Sequence, residues 1–214
     1  MCPACRNTKR TVPTVFPSDL TLRGLDPEEP RLFVIDGSKA LAKAIKDTFG
    51  DKAVIQRCQV HKKRNVLSHL PESEKGRVGN QISLAYMEFD MDEAKRKLNL
   101  LERELRMCYP SAAASLAEGL DETLAVHRLG VPGLLRKTIS STNAIESANS
   151  VCAGVIKRVT NFKTGEVAIR QAAAGFMEAE RGFRRIKGYR ELPILRAALA
   201  QLTGAHSMDK MEVA

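Results

Sequence analysis

Two carboxylates, a cysteine–histidine pair and several basic residues are the groups in this 214-residue chain whose types and spacing could do chemistry. Asp36 closes the apolar run Leu32-Phe33-Val34-Ile35 and is followed by Gly37. Glu146 stands three residues after Asn143 in Ser141-Thr142-Asn143-Ala144-Ile145-Glu146. Carboxylate oxygens are hard donors of the kind Mg²⁺ prefers. Each residue also has a plainer reading. Asp-Gly is a common turn leaving a strand, and Asp36 could cap the next helix. Asn143 and Glu146 have the spacing of a capping box, with Asn143 as N-cap and Glu146 at N3. Cys58-Gln59-Val60-His61 is half of a zinc pattern, as is Cys2-Pro3-Ala4-Cys5. A structural zinc site needs four ligands. No second CxxC or HxxxH follows, so Cys2 and Cys5 are expected to hold no zinc.

The elements that must position these groups are legible around them. Leu32–Ile35 predicts a short strand. Leu41, Ala44, Ile45 and Phe49 recur at helical spacing, and Ala53-Val54-Ile55 predicts a second strand. That order and length suit a βαβ unit. A strand apolar at every position predicts parallel pairing with both faces covered. Asp36 would then lie at the carboxyl end of a buried strand, where open α/β sheets bind ligands. Before the first strand, residues 18–24 predict the end of a helix stopping at Gly24.

From Arg64 to Leu135 the periodicity is helical, with a break and restart at Pro71-Glu72-Ser73. Val78, Ile82, Ala85 and Phe89 form one predicted stripe. Met91, Ala94, Leu98, Leu101 and Leu105 form another, on a charged helix. Pro110-Ser111 opens a helix with Ala113, Leu116 and Leu120 inward. His69 and His127 are read as surface or packing residues. A helix beginning near Asn143 would bury Ile145, Ala148, Cys152, Val155 and Val159, with Glu146, Ser150, Ala153 and Lys157 on another face. A last helical block from Glu166 has Ile169, Ala172, Phe176, Ala179, Phe183 and Ile186 as its stripe.

Apolar content of 43% and charged content of 28% are ordinary for a globular protein. The net charge of +9 and pI near 9.5 favour an anionic partner, nucleic acid first. Lys62, Lys63, Arg64, Lys157, Arg158, Arg184 and Arg185 flank the two acidic positions in sequence and are the residues expected to meet such a partner. No apolar run approaches membrane-spanning length. Five scattered cysteines argue against a disulfide framework and for a reducing cytoplasm. There is no Trp to stack on a base.

The segments VIDGSKALAKAIKDTF, QRCQVHKKRNVLSHLP and STNAIES together resemble the catalytic region of the Mutator-type transposases of bacterial insertion sequences. The resemblance runs from about Asp19 to Leu199. It implies an α/β fold similar to ribonuclease H, truncated here, with a large all-helical insertion that makes the chain predominantly helical. It implies Asp36 and Glu146 as catalytic carboxylates and metal ligands, holding Mg²⁺ or Mn²⁺ for DNA strand cleavage and transfer by a DDE two-metal mechanism. Cys58, His61 and Asn143 match positions expected to pack and orient the site. The expected divisions are a non-family segment 1–17, a partial core 18–61, a helical insertion 62–138, a returning catalytic helix with C-terminal helices 139–200, and a tail 201–214. The family's first catalytic aspartate lies upstream of Asp36, and residues 1–17 do not match it. A fragment inactive alone is therefore expected, with a DNA-binding or co-assembling fragment as the alternative. The expected partners are double-stranded DNA, at element ends and target, and full-length transposase or further copies of this chain, with no membrane. The expected location is the bacterial cytoplasm, at the nucleoid.

Overall fold

Residues 31–35 pair with residues 53–57, and this strand pair sets the frame for the chemistry. The protein is described here from a computed structural model covering residues 19–157, 159 and 164–211, with side chains as far as Leu202. Strand β1 (Arg31–Ile35) runs parallel to β2 (Ala53–Arg57), in a register that sets Ile35 opposite Arg57. Among the described residues the sheet has these two strands. The crossover between them is helix α1 (Lys39–Phe49) and a 3₁₀ turn at Gly50–Lys52. The parallel pairing and the crossover agree with the sequence expectation. A helical turn over residues 19–22 ends at Gly24, whose φ of +97° is open to glycine.

The strands alternate between two apolar faces. Ile35 and Ile55, with Phe33 beside them, pack with Ile45 and Phe49 of α1; the Phe33 and Phe49 ring centroids are 4.8 Å apart. Leu32 and Val54 belong to the opposite cluster, with Ala125, Leu129, Val131, Leu135 and Leu199. Both faces are therefore covered, which is why neither strand shows a polar alternation.

Helices α2 (Gln59–Ser68), α3 (Glu72–Met87), α4 (Met91–Cys108) and α5 (Pro110–Ala117) follow. Their shared core contains Val66, Val78, Ile82, Leu98, Leu105, Leu116 and Leu124. Asp90 caps α4 by accepting from the Glu93 amide at 3.1 Å. The predicted α4 stripe is buried apart from Met91, which packs at its margin. Phe89 departs from its expected stripe. It lies beyond the end of α3, exposed, and the Arg136 guanidinium stands 5.7 Å from its ring centroid. Short helices α6 (Leu120–Thr123) and α7 (Ala125–Arg128) lead to α8 (Gly133–Ile139).

Two helices, α9 (Asn143–Ile156) and α10 (Gly165–Arg181), form a separate compact unit spanning Thr142–Lys187. Gly175 packs directly on Cys152. A Cβ at Gly175 would lie 2.6 Å from Cys152 Sγ and 2.9 Å from Cys152 Cα. The predicted stripes are buried only in part. Ala148, Cys152 and Ala179 are buried, whereas Ile145, Val155, Ile169, Phe176, Phe183 and Ile186 are exposed. After a 3₁₀ turn at Tyr189–Glu191, helix α11 (Leu192–Met211) returns to the first unit and places Leu199 on the sheet. Residues expected to form a tail from 201 thus begin as helix.

The protein is predominantly helical with a small parallel sheet. No helix among the described residues is long and apolar enough to cross a membrane.

Candidate active site

Asp36 follows the last residue of β1 and is exposed. One oxygen, Oδ1, accepts from the Ser38 amide at 3.2 Å, so the carboxylate closes a tight turn over Gly37. The next helix is capped by another residue. Ser38 Oγ accepts from the Leu41 amide at 3.3 Å, which makes Ser38 the N-cap of α1. Gly37 has φ +102°, a conformation that suits glycine.

Cys58 follows β2 directly and is fully buried at the N-cap of α2. Its amide donates to the Ile35 carbonyl at 2.7 Å, which pins the start of α2 beside the residue preceding Asp36. Cys58 Sγ and a ring nitrogen of half-buried His61 lie within 4.8 Å of each other.

Around this pair the segment Gln56–Lys62 turns its polar side chains inward. Gln56 is completely buried, donating to the carbonyls of Arg57 at 2.7 Å and Thr123 at 2.9 Å and accepting from the Val126 amide at 2.9 Å. Gln59 also donates to the Thr123 carbonyl, at 2.9 Å. Lys62 is only 2% exposed, and its ammonium donates to the carbonyls of Ser115 and Glu118. Burial first, and then the neighbouring Arg57 cation, lower its pKa to about 8 against the opposing pull of Glu118 and Glu122. Lys62 is therefore a buried strut and is withdrawn from the DNA-facing set expected from sequence. Lys63 donates to Ser83 Oγ at 2.7 Å, and Arg64 is exposed.

Glu146 lies in the first turn of α9, half-buried, in the other unit. Thr142 occupies the N-cap position, so Asn143 is the first helical residue and Glu146 the fourth. The expected capping box is thus displaced by one residue and does not form. Instead the Thr142 hydroxyl donates to Glu146 Oε1 at 2.5 Å. Asn143 is exposed, as are Ser150, Ala153 and Lys157. Arg184 and Arg185 are exposed beyond α10. Arg158, Cys2 and Cys5 lie outside the described residues.

The sequence reading missed Arg57 and Gln56, which bond neighbours of expected site residues, and Thr142, which bonds Glu146 itself. Their signal was present: a polar side chain at the end of an apolar strand must find partners if it is buried.

The fold and these groups define a basic, mostly helical protein whose parallel strand pair presents a carboxylate to solvent beyond its carboxyl end. The family described as "Transposase, Mutator family" matches residues 7–185. The chain belongs to this family. Among its relatives, the transposase for insertion sequence element IST2 of Acidithiobacillus ferrooxidans is 31% identical over 129 residues, 60% of this chain and 42% of that protein. The transposase for element ISRM5 of Rhizobium meliloti is 29% identical over 175 residues, 82% of this chain and 43% of that protein. The transposase for element IS256 in transposon Tn4001 of Staphylococcus aureus is 30% identical over 138 residues. The chain spans less than half the length of these relatives.

Proposed function

We propose that this chain supplies two carboxylates, Asp36 and Glu146, to the metal site of a DNA transposition reaction. The supporting observation is the placement of Asp36. It stands exposed just beyond the carboxyl end of a parallel strand, with one oxygen braced by the Ser38 amide. Glu146 is braced likewise, by the Thr142 hydroxyl. The strand pair would be part of a ribonuclease-H-like core, and the α2–α8 helices its insertion.

The donor set fits Mg²⁺ or Mn²⁺, since both groups offer hard oxygen, Asp36 from the turn that follows β1 and Glu146 from the first turn of α9. A bound pair of such ions supplies charge stabilisation to the attacking and leaving oxygens of an in-line phosphoryl transfer. The chain's own residues orient and exclude. The Ser38 amide and Thr142 hydroxyl each fix one carboxylate rotamer. The Cys58 amide holds the start of α2 against the end of β1, and Cys58 and His61 would orient the site. Exposed Arg64, Lys157, Arg184 and Arg185 would meet DNA phosphates.

The test is metal-directed backbone scission of the 214-residue chain with Fe²⁺, ascorbate and peroxide. Cuts clustered near both residue 36 and residue 146, and suppressed by Mg²⁺, are expected. Absence of cuts near residue 36 would overturn the assignment of Asp36, and absence of cuts near residue 146 that of Glu146.

A further inference from the structure

Arg57 ends β2 with its side chain buried, yet no partner side chain for it is evident from sequence. Its guanidinium lies between two glycines. A Cβ at Gly37 would collide with Nε and stand 2.8 Å from Nη2, and one at Gly119 would collide with Nη1. Both glycines also have positive φ, +102° and +64°. The guanidinium donates through Nη1 to the Glu118 carbonyl at 3.1 Å. Through Nη2 it reaches Glu118 Oε2 at 3.4 Å and the Gly37 carbonyl at 3.5 Å. Glu118 closes the circuit. Its other carboxylate oxygen pairs with Lys39, the first residue of α1, at 2.8 Å. Of the segments that follow Asp36, the Gly37 carbonyl is thus tied to Arg57, and the start of α1 to Glu118 just beyond α5, which Arg57 itself bonds. Only a planar fork with several donors can stack on Gly37 and serve these acceptors together.

We propose that Arg57 is a positioning residue, which with Glu118 clamps the Asp36–Gly37–Ser38 turn and so fixes the direction of the Asp36 carboxylate. This rests on the reading of Asp36 as a metal ligand. The clamp makes the helical region after α5 part of the positioning apparatus for the strand carboxylate.

The experiment follows two readouts by NMR on the whole 214-residue chain, wild type and Arg57→Lys, Glu118→Gln and Asp36→Asn. The first is hydrogen exchange at the Ser38 amide, the group that braces Asp36. The second is broadening of the Asp36 amide resonance by Mn²⁺. In Arg57→Lys, Ser38 exchange should rise about tenfold while amides around Leu98 keep their protection. The Mn²⁺ concentration for half-broadening should rise about tenfold as well. Glu118→Gln should move both in the same direction by less, and it serves if Arg57→Lys does not fold. Unchanged Ser38 exchange in a folded variant overturns the clamp. If Mn²⁺ broadening persists in Asp36→Asn, the ligand assignment fails, and Ser38 exchange still decides the clamp.

Discussion

The segment Gln56–Lys62 and the unit Thr142–Lys187 are built on opposite plans. In Gln56–Lys62, polar side chains point inward and are consumed by carbonyls and amides of residues 115–126. In the Thr142–Lys187 unit the interior is made from small residues, Gly175 against Cys152, while Ile145, Ile169 and Phe183 stay exposed. The first region is held by directional bonds whose loss leaves buried groups unpaired. The second is held by close approach of two helices. A short signature of polar residues therefore does not announce which of them face a substrate.

This contrast predicts unequal responses to substitution. Gln56→Leu keeps the volume but orphans the Val126 amide and removes one donor from the Thr123 carbonyl. The Thr123 carbonyl keeps its bond from Gln59, so the one orphaned amide gives an expected loss of about 1–3 kcal/mol in urea unfolding. A loss under about 1 kcal/mol would mean that water or a shifted backbone satisfies it. Gly175→Val is expected to cost about 1–3 kcal/mol, because the added carbons meet Cys152 backbone that cannot turn aside. Its signature should be local. Hydrogen exchange would rise across α9 and α10, with α4 unchanged.

How far the sequence could be read follows the same line. The β1–α1–β2 unit was legible because β-branched runs and a 3.6-residue stripe are local signals, and Asp36 sits where those signals meet. The stripe of α4 was legible for the same reason. The α9 and α10 stripes were overread, since helical spacing shows which residues share a face but not whether a partner covers it. The α9 cap lies one residue before the expected one, at Thr142, whose hydroxyl donates to Glu146. The burial of Lys62 was not legible, because a basic run suggests solvent and nothing local reveals the carbonyls of Ser115 and Glu118 that accept its hydrogen bonds. Arg57 is a long-range contact of 61 positions, beyond any periodicity.

A pH experiment sharpens the comparison within the first unit. His127 is buried, with Nε2 at 3.1 Å from the Tyr86 carbonyl. Burial, and then the Arg136 cation, hold its imidazole below the ordinary value against the pull of that carbonyl. The unfolded chain therefore takes up this proton first, and stability should fall as pH drops below about 6.5. In His127→Phe the slope of stability against pH between about 6.5 and 5 should be shallower than in wild type. An equal slope would assign acid sensitivity to other groups.

The smallest effect per residue is expected on the exposed cations of the second unit and α2. Arg64, Lys157, Arg184 and Arg185 remain at the surface after Lys62 is withdrawn. If they meet a duplex, binding should be weak, without sequence preference, and steeply salt-dependent. Counterion release gives a log–log slope of about −0.9 per phosphate neutralised. Arg184→Gln should therefore flatten the slope by about one contact and weaken binding equally on all sequences. Lys62→Met, in contrast, should leave the slope unchanged while lowering the melting temperature, because its ammonium is already committed to backbone carbonyls. Fluorescence anisotropy with a labelled duplex at several salt concentrations measures both. A Lys62→Met slope that falls as much as that of Arg184→Gln would return Lys62 to the DNA-facing set and break the distinction between the two regions.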